Sequence, residues 1–385
     1  MNPPRLPVIS LIGVMACAMA LMAATGINAV LIPVRLKEMG FSNRWVGLCM
    51  AAEVASVVLI SRYVSQIVGK LGLTLTLFST AGLRLLCLVI MSWSANFPVW
   101  TVAIFFFGMA SNIFITAIIA WLAALNLGKH AGLCNGLFSS ALSLGTAMGP
   151  LALSFSGFEG SKPFQINMLI VGLAIVPVIL LYAWIPKLAP TPKPRIWYII
   201  RLSPAVVLSA FIGGITFFGL PAFLTLYGTQ NGYPVQQAAW LLSAFMLGSV
   251  TLSPLVGVLS DYIDRRYVII ACIGVGMLSA IYLPLASVSY PMALGLLCLW
   301  GGAAGGIYAT SMAFLTSRFR EEDQVSVGVT YTLMDCLGGT VGVALIGLAM
   351  DLDRDGLTYV ISLAAIAYFI FALSRYSVIR SLQSE

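Results

Sequence analysis

Apolar runs long enough to cross a lipid bilayer recur along the whole of this 385-residue chain, and no other feature restricts its fold so severely. A hydrocarbon core of about 30 Å takes about 20 apolar residues in a helix, and inside it every backbone polar group must be satisfied within the segment. Twelve such runs lie near 7–34, 45–66, 74–94, 98–125, 131–154, 164–185, 204–227, 236–256, 267–288, 292–316, 325–349 and 357–376. They are continuously apolar instead of alternating, which excludes a transmembrane barrel. With 60% hydrophobic residues and 9% charged ones, the chain has too little polar cover for a water-soluble surface. The expectation is an all-α polytopic membrane protein of twelve spans. The opening "MNPPRLPVIS" leads into a run longer than a signal-peptide core and without a convincing cleavage site, so it reads as a retained first helix.

Positive charge orients the spans. With both termini cytoplasmic, that side receives thirteen basic residues: Arg5, Lys70, Lys129, Lys187, Lys193, Arg195, Arg201, Arg265, Arg266, Arg318, Arg320, Arg375 and Arg380. The opposite side receives five, namely Arg35, Lys37, Arg44, Lys162 and Arg354. The imbalance follows the positive-inside rule and fits a bacterial inner membrane. It also explains the net charge of +7 without a nucleic-acid partner. Seven cysteines lie within apolar segments with no CxxC pair, and His130 stands in a short turn, so neither a disulfide nor a metal is expected.

The longest polar connection, Pro186 to Pro204, falls at the midpoint and divides the chain into 1–185, a cytoplasmic linker over 186–203, and 204–385. Trp197 and Tyr198 in it are suited to anchoring at the interface. The two parts share a faint repeat. Gly40-Phe41 matches Gly232-Tyr233 at an offset of 192, Gly145 and Gly149 match Gly338 and Gly342 at 193, and Gly108 and Ile113-Phe114 match Gly302 and Ile307-Tyr308 at 194. Two related halves of six spans each run parallel, not inverted. Small residues at i, i+4 such as Gly145 and Gly149, or Gly338 and Gly342, let helices pack closely, and Pro150 is placed to kink one.

A charged turn interrupts this pattern at "GVLSDYIDRRYVII", after the second run of the second half. Gly257, Leu259, Asp261, Arg265 and Arg266 match the Gly-x-Leu-x-Asp-Arg-x-Gly-Arg-Arg motif, while Tyr262 and Asp264 depart from it. In this the chain resembles the major facilitator superfamily over essentially its whole length, and its size and second-half loops resemble the compact YcaD-like branch. The resemblance implies two pseudo-symmetric six-helix bundles, alternating access, and a cytoplasmic gate at Gly257, Asp261, Arg265 and Arg266. Glycine there permits close helix approach, and Asp261 suits a neighbouring helix N-terminus. The first-half counterpart, "RYVSQIVGKLG", keeps only Gly69 and Lys70 of the motif.

Ionisable residues at membrane depth are costly and mark function or structural pairing. Glu53 lies about 12 Å down from the outer side, and Asp335 and Arg84 about 15 Å up from the cytoplasm, counted at about 1.5 Å per residue. Neither Glu53 nor Asp335 has a charged counterpart in the other half, since Asp335 falls on Leu142 and Glu53 near Phe245. Tyr331, Asp335, Gly338 and Gly342 share one helix face by spacing. Asp335 and Glu53 are therefore candidates for proton coupling, against a reading in which a buried acid only fixes packing. Arg84 is the midplane charge partner, expected to reach toward Glu53. The fold implied by the resemblance would bring Asp335 within reach of the face carrying Glu53. Candidates to line a substrate cavity are Asn28, Arg35, Asn112, Tyr227, Trp240, Trp300, Tyr308 and Tyr331, though aromatics at helical spacing also serve packing.

With one histidine, no GxSxG and no HExxH, a membrane enzyme is not expected, and no Walker motif points to ATP drive or any bound cofactor. The expectation is a monomeric secondary transporter of a small organic solute, proton-coupled and inclined to efflux. Nutrient uptake, or a transporter-like sensor or assembly protein, stay open at this point.

Overall fold

The computed structural model describes residues 6–125, 131–157, 160–182, 185, 195–287, 289–320 and 323–382, which form thirteen α-helices and no β-strand. In chain order they are α1 (Leu6–Glu38), α2 (Asn43–Leu71), α3 (Leu73–Trp93), α4 (Phe97–Ala124), α5 (Ala131–Ser156), α6 (Lys162–Leu180), α7 (Ile196–Leu202), α8 (Pro204–Gln230), α9 (Val235–Tyr262), α10 (Arg265–Ala286), α11 (Tyr290–Arg318), α12 (Gln324–Leu352) and α13 (Gly356–Leu382).

Each expected span coincides with one of these helices, α7 excepted. Ten are long and apolar enough to cross a membrane over their described residues, and α5 and α13 contribute shorter apolar stretches, Ser140–Leu153 and Gly356–Ala372. Several helices run past the apolar runs at their ends. α9 continues to Tyr262, six residues past the expected end at 256, and α10 starts only at Arg265, capped by Asp264, whose side chain accepts the Arg266 N–H. The end of the sixth run at 185 is a correction, since α6 stops at Leu180, three residues after Pro177. Residues 186–194 of the linker, with Lys187 and Lys193, lie outside the described residues, as do Arg5, Lys129 and His130. Beyond them α7 presents Trp197 and Tyr198 to the surface, with the Arg201 guanidinium 5.5 Å from the Trp197 ring.

The chain divides into two compact units. Unit 1 comprises residues 1–41 and 52–192, and unit 2 comprises 42–51 and 193–385. In unit 1, α1 packs on α5, α6 and α4, and α3 packs on α4 and α6. In unit 2 the corresponding set recurs, α8 on α12, α13 and α11, and α10 on α11 and α13. The second helix is shared: its first residues, 42–51, cluster with unit 2 and the rest with unit 1.

The faint repeat becomes concrete backbone geometry. At Gly40 the chain turns with φ 86°, Phe41 N–H reaching Leu36 O and Gly40 N–H reaching Lys37 O. At Gly232, with φ 88°, Tyr233 N–H reaches Gly228 O and Gly232 N–H reaches Thr229 O, the same turn 192 residues on. Such positive φ is open to glycine and strained for most residues. A Cβ added at Gly145 would lie 2.4 Å from Met19 O, and one at Gly338 would lie 1.8 Å from Phe211 O. Gly149 meets Ala23 O at 2.6 Å and Gly342 meets the Ile215 Cα at 2.8 Å by the same measure. Glycine pairs of this kind set α5 on α1 and α12 on α8 at backbone contact.

Candidate functional site

In unit 1 the polar centre is built on α2, α3 and α4. The Glu53 backbone lies against Gly108, where an added Cβ would meet Glu53 O at 2.5 Å and its Cγ at 2.7 Å, and Ser56 Oγ donates to Glu53 O at 2.6 Å. Arg84 is 1% exposed, its guanidinium 4.4 Å from the centre of the Phe107 ring and its Nη2 3.4 Å from Leu21 O. Glu53 and Arg84 attract each other electrostatically, but they do not form an ion pair within 4 Å among the described residues. The expected reach toward Glu53 is thus corrected to a longer-range pairing, because the guanidinium is held by the Phe107 face and the carbonyl end of α1's turn. The half-buried Glu53 carboxylate accepts no hydrogen bond among the described residues.

The equivalent place in unit 2 is apolar. A Cβ on Gly301 would lie 1.8 Å from Phe245 O, and one on Gly108 would lie 2.5 Å from Glu53 O, so contact aligns Gly108 with Gly301, one residue before Gly302. Trp300 stands for Phe107 and Gly276 for Arg84, and Trp300 packs edge-on to Phe245 at 6.5 Å between centroids. One scaffold therefore carries Glu, Phe and Arg in the first half and Phe, Trp and Gly in the second.

Unit 2 has its own polar centre, on α8, α11 and α12. The backbone of Asp335 lies against Gly214, and its Oδ1 lies 4.0 Å from the position of a Cβ on Gly213. Tyr308 and Tyr331 pack edge to face at 5.3 Å and both are within electrostatic reach of Asp335. The Tyr331 hydroxyl is hydrogen-bonded with Ser311, whose Oγ is 3.1 Å from Ser209 Oγ. Tyr331 is buried, Tyr308 is 54% exposed, and the half-buried Asp335 carboxylate accepts no hydrogen bond among the described residues. Glu53 belongs to unit 1 and Asp335 to unit 2.

Several other cavity candidates turn out to be structural. Asn28 is 1% exposed, and its Oδ1 accepts from Asn167 Nδ2 at 2.6 Å, tying α1 to α6. Tyr227, also buried, donates from its hydroxyl to Asp355 Oδ1 at 3.1 Å. Trp300 is buried in the packing just described. Arg35 pairs with Glu38 at 2.8 Å and donates to Gly160 O. In this structure each of these four has an intramolecular partner, by hydrogen bond or ion pair for Asn28, Tyr227 and Arg35 and by ring packing for Trp300. Asn112 is half-buried on α4, its carbonyl accepting from Thr116 Oγ1, and Trp240 is exposed near the start of α9.

In the charged turn, Arg265 lies 3.7 Å from Asp261 and donates to Ala313 O and Ser317 Oγ in the last turns of α11, where a cation meets the carbonyl end of a helix. Arg266 lies 5.6 Å from the Phe314 ring. Two details are corrected. Asp261 is largely exposed and pairs with Arg265 instead of a helix N-terminus. A Cβ on Gly257 would meet nothing within 4 Å, because α9 and α11 make their close approach further along, at Gly248 against Cys298 and Gly305 against Ser249 and Ser253.

Sequence reasoning missed a second charged arrangement within unit 2. Asp351, at the end of α12, accepts from the Asn43 N–H at 2.7 Å and the Arg44 N–H at 3.1 Å, and so caps α2 from outside that helix. Asn43 Nδ2 donates to Met350 O at 2.8 Å, and Gly47 lies against Gly347, 2.9 Å from a Cβ placed there. The run "SNRW" carries an N-terminus signal, but a capping acid 308 positions away leaves no local trace. Outside the spans, Tyr233 donates from its hydroxyl to Ser287 O, and burial raises its pKa above the ordinary tyrosine value. Among the described residues no group of three or more His, Cys, Asp or Glu is gathered that could hold a metal ion.

Comparison with known proteins agrees with this architecture. The family model of the Major Facilitator Superfamily matches residues 14–343 and 206–381. An uncharacterized MFS-type transporter of Bacillus subtilis (strain 168), YfkF, is 21% identical over 306 residues, 77% of this chain and 78% of that protein. A crystal structure of a mutant nucleoside transporter NupG superposes with a TM-score of 0.79 at 10% identity, covering 95% of this chain and 99% of that one. A bacterial homologue of the human lysosomal transporter Spinster, inward-facing and unoccupied, gives 0.77 at 13% identity with 97% of each chain covered. At such identities the structures speak for the fold, while the family model spans most of the chain. With its twelve long helices, two related units and charged turn at Asp261–Arg266, this protein is a transporter and not an enzyme, and it belongs to the major facilitator superfamily.

Proposed function

We propose that the protein is a secondary active transporter of a small organic solute, working by alternating access and coupled to protons through Asp335 and Glu53. One observation supports it most: two carboxylates at membrane depth, one in each unit, each half-buried and without a hydrogen-bond donor among the described residues. A carboxylate so placed is costly when charged and alone, and it gains from binding a proton or a counter-ion in one state of a cycle. Efflux is the direction we favour, with uptake as the alternative the flux test separates. The chain acts as a monomer in a bacterial inner membrane with both termini cytoplasmic, as its basic residues favour. Likeness to a nucleoside transporter makes uridine one solute worth including in a test.

The test is flux into proteoliposomes under an imposed pH gradient, with uridine, glucose, alanine, citrate and phenyltrimethylammonium as labelled solutes. Wild-type protein should accumulate at least one of them. Asp335→Asn should lose the gradient-driven part of the transport. Unchanged gradient-driven transport in both Asp335→Asn and Glu53→Gln removes the proton-carrier assignment, and no flux of any solute favours a sensor or assembly role.

A further inference from the structure

The charges at membrane depth are not balanced alike in the two units. In unit 1, Glu53 has Arg84 to offset it. In unit 2, every charged residue of α8–α12 other than Asp335 stands at a helix end or in a connection: Asp261, Arg265, Arg266, Arg318 and Asp351 are each within two residues of a terminus. Among the described residues of α8, α11 and α12, Asp335 thus has no basic side chain at its depth. The groups beside it are Tyr331 and Cys336 from α12, Tyr308 from α11, and Gly213 and Gly214 from α8, with Ser311 and Tyr368 beside Tyr331 and Ser209 beside Ser311. None of them supplies positive charge.

The remaining polar atoms are already spoken for. Ser209, Ser311 and Tyr331 bond among themselves, so they offer a hydroxyl-rich solute little that is free. What stays open is an uncompensated carboxylate beside two tyrosine rings, one of them 54% exposed. Carboxylate plus aromatic faces is the chemistry that holds an ammonium or another organic cation, through charge and through the ring quadrupole. An anion would meet a carboxylate with no basic partner.

We propose that Asp335, Tyr308 and Tyr331 form the binding site for an organic cation, which exchanges for a proton on the Asp335 carboxylate. The step balances: the neutral acid gives up one proton as the cation arrives, and the site is neutral in both states. This rests on the transport reading and adds the substrate class and the residue at which proton and solute compete.

Binding is measured on the purified full chain in detergent by calorimetry, with phenyltrimethylammonium, tetraphenylphosphonium and ethidium as cations and benzoate as the anionic control, at pH 6 and pH 8. At least one cation should bind saturably, more weakly at pH 6, and benzoate should not bind. Asp335→Asn, checked for folding by gel filtration, should weaken that cation tenfold or more, and Tyr308→Leu should weaken it less. The proposal falls if no cation binds, if benzoate binds as well, or if folded Asp335→Asn binds unchanged. Should Asp335→Asn fail to fold, equal affinity at the two pH values, or an unweakened Tyr308→Leu, overturns it. Flux of uridine or glucose without cation binding defeats this inference and leaves the transport reading standing; cation binding lost in Asp335→Asn, with no flux of any solute, does the reverse.

Discussion

Arg84 occupies the place that a glycine, Gly276, holds in the second half, and it lies over Phe107 where the second half has Trp300. A buried guanidinium is tolerated only with partners, and Glu53 is the acid within its field. Removing Arg84 leaves a carboxylate without its offset, so Arg84→Met should lower the unfolding temperature more than the lost packing alone explains. Combined with Glu53→Gln, it should recover about 0.5–3 kcal/mol relative to the sum of the single changes, in a double-mutant cycle on the detergent-purified protein. Asp351 makes a second residue-scale prediction. It closes two orphan N–H groups at the start of α2, so Asp351→Ala should destabilise by about 0.5–2 kcal/mol. Asp351→Asn, which keeps an acceptor oxygen, should lose less in the same thermal scan. Neither Arg84's stacking nor the role of Asp351 was legible in the sequence, because each depends on a partner on another helix.

Helices in a bilayer gain little from hydrophobic association, so close packing through small residues holds them together. The glycine pairs on α5 and α12 were visible in the sequence as i, i+4 spacing, and their contacts with Met19, Ala23, Phe211 and Ile215 show backbone against backbone. Gly338→Ala would place a Cβ 1.8 Å from Phe211 O, so α12 must shift from α8; a loss of about 1–3 kcal/mol is expected, with an unfolding temperature clearly below wild type. Gly257→Ala meets open space and should leave that temperature unchanged. Both positions are glycines within long apolar helices, and the i, i+4 partner Gly342 marks only Gly338 as a packing site. What differs is whether another helix passes there.

At the scale of the molecule, duplication and charge supply different information. By the positive-inside rule, thirteen basic residues against five predict cytoplasmic termini. A single cysteine placed at Asp264 should react with an impermeant maleimide only from the cytoplasmic side, and one at Asp353 only from the outside; the reverse pattern would invert the topology. The native thiols, buried except for the half-buried Cys298, give little background. The sequence by itself determined the membrane class, the twelve spans, the parallel repeat and the residues that ought not to be in lipid. It could do so because hydrophobic length, turn glycines and charge are local quantities, read along one helix at a time. Tertiary structure alone decided which partners the candidates meet: it tied Asn28 to Asn167 and Tyr227 to Asp355, set Arg84 over Phe107, and left Asp335 beside tyrosines without a hydrogen-bond donor among the described residues. Those outcomes depend on which helix faces meet, and a pattern within one helix does not contain the helix it will face.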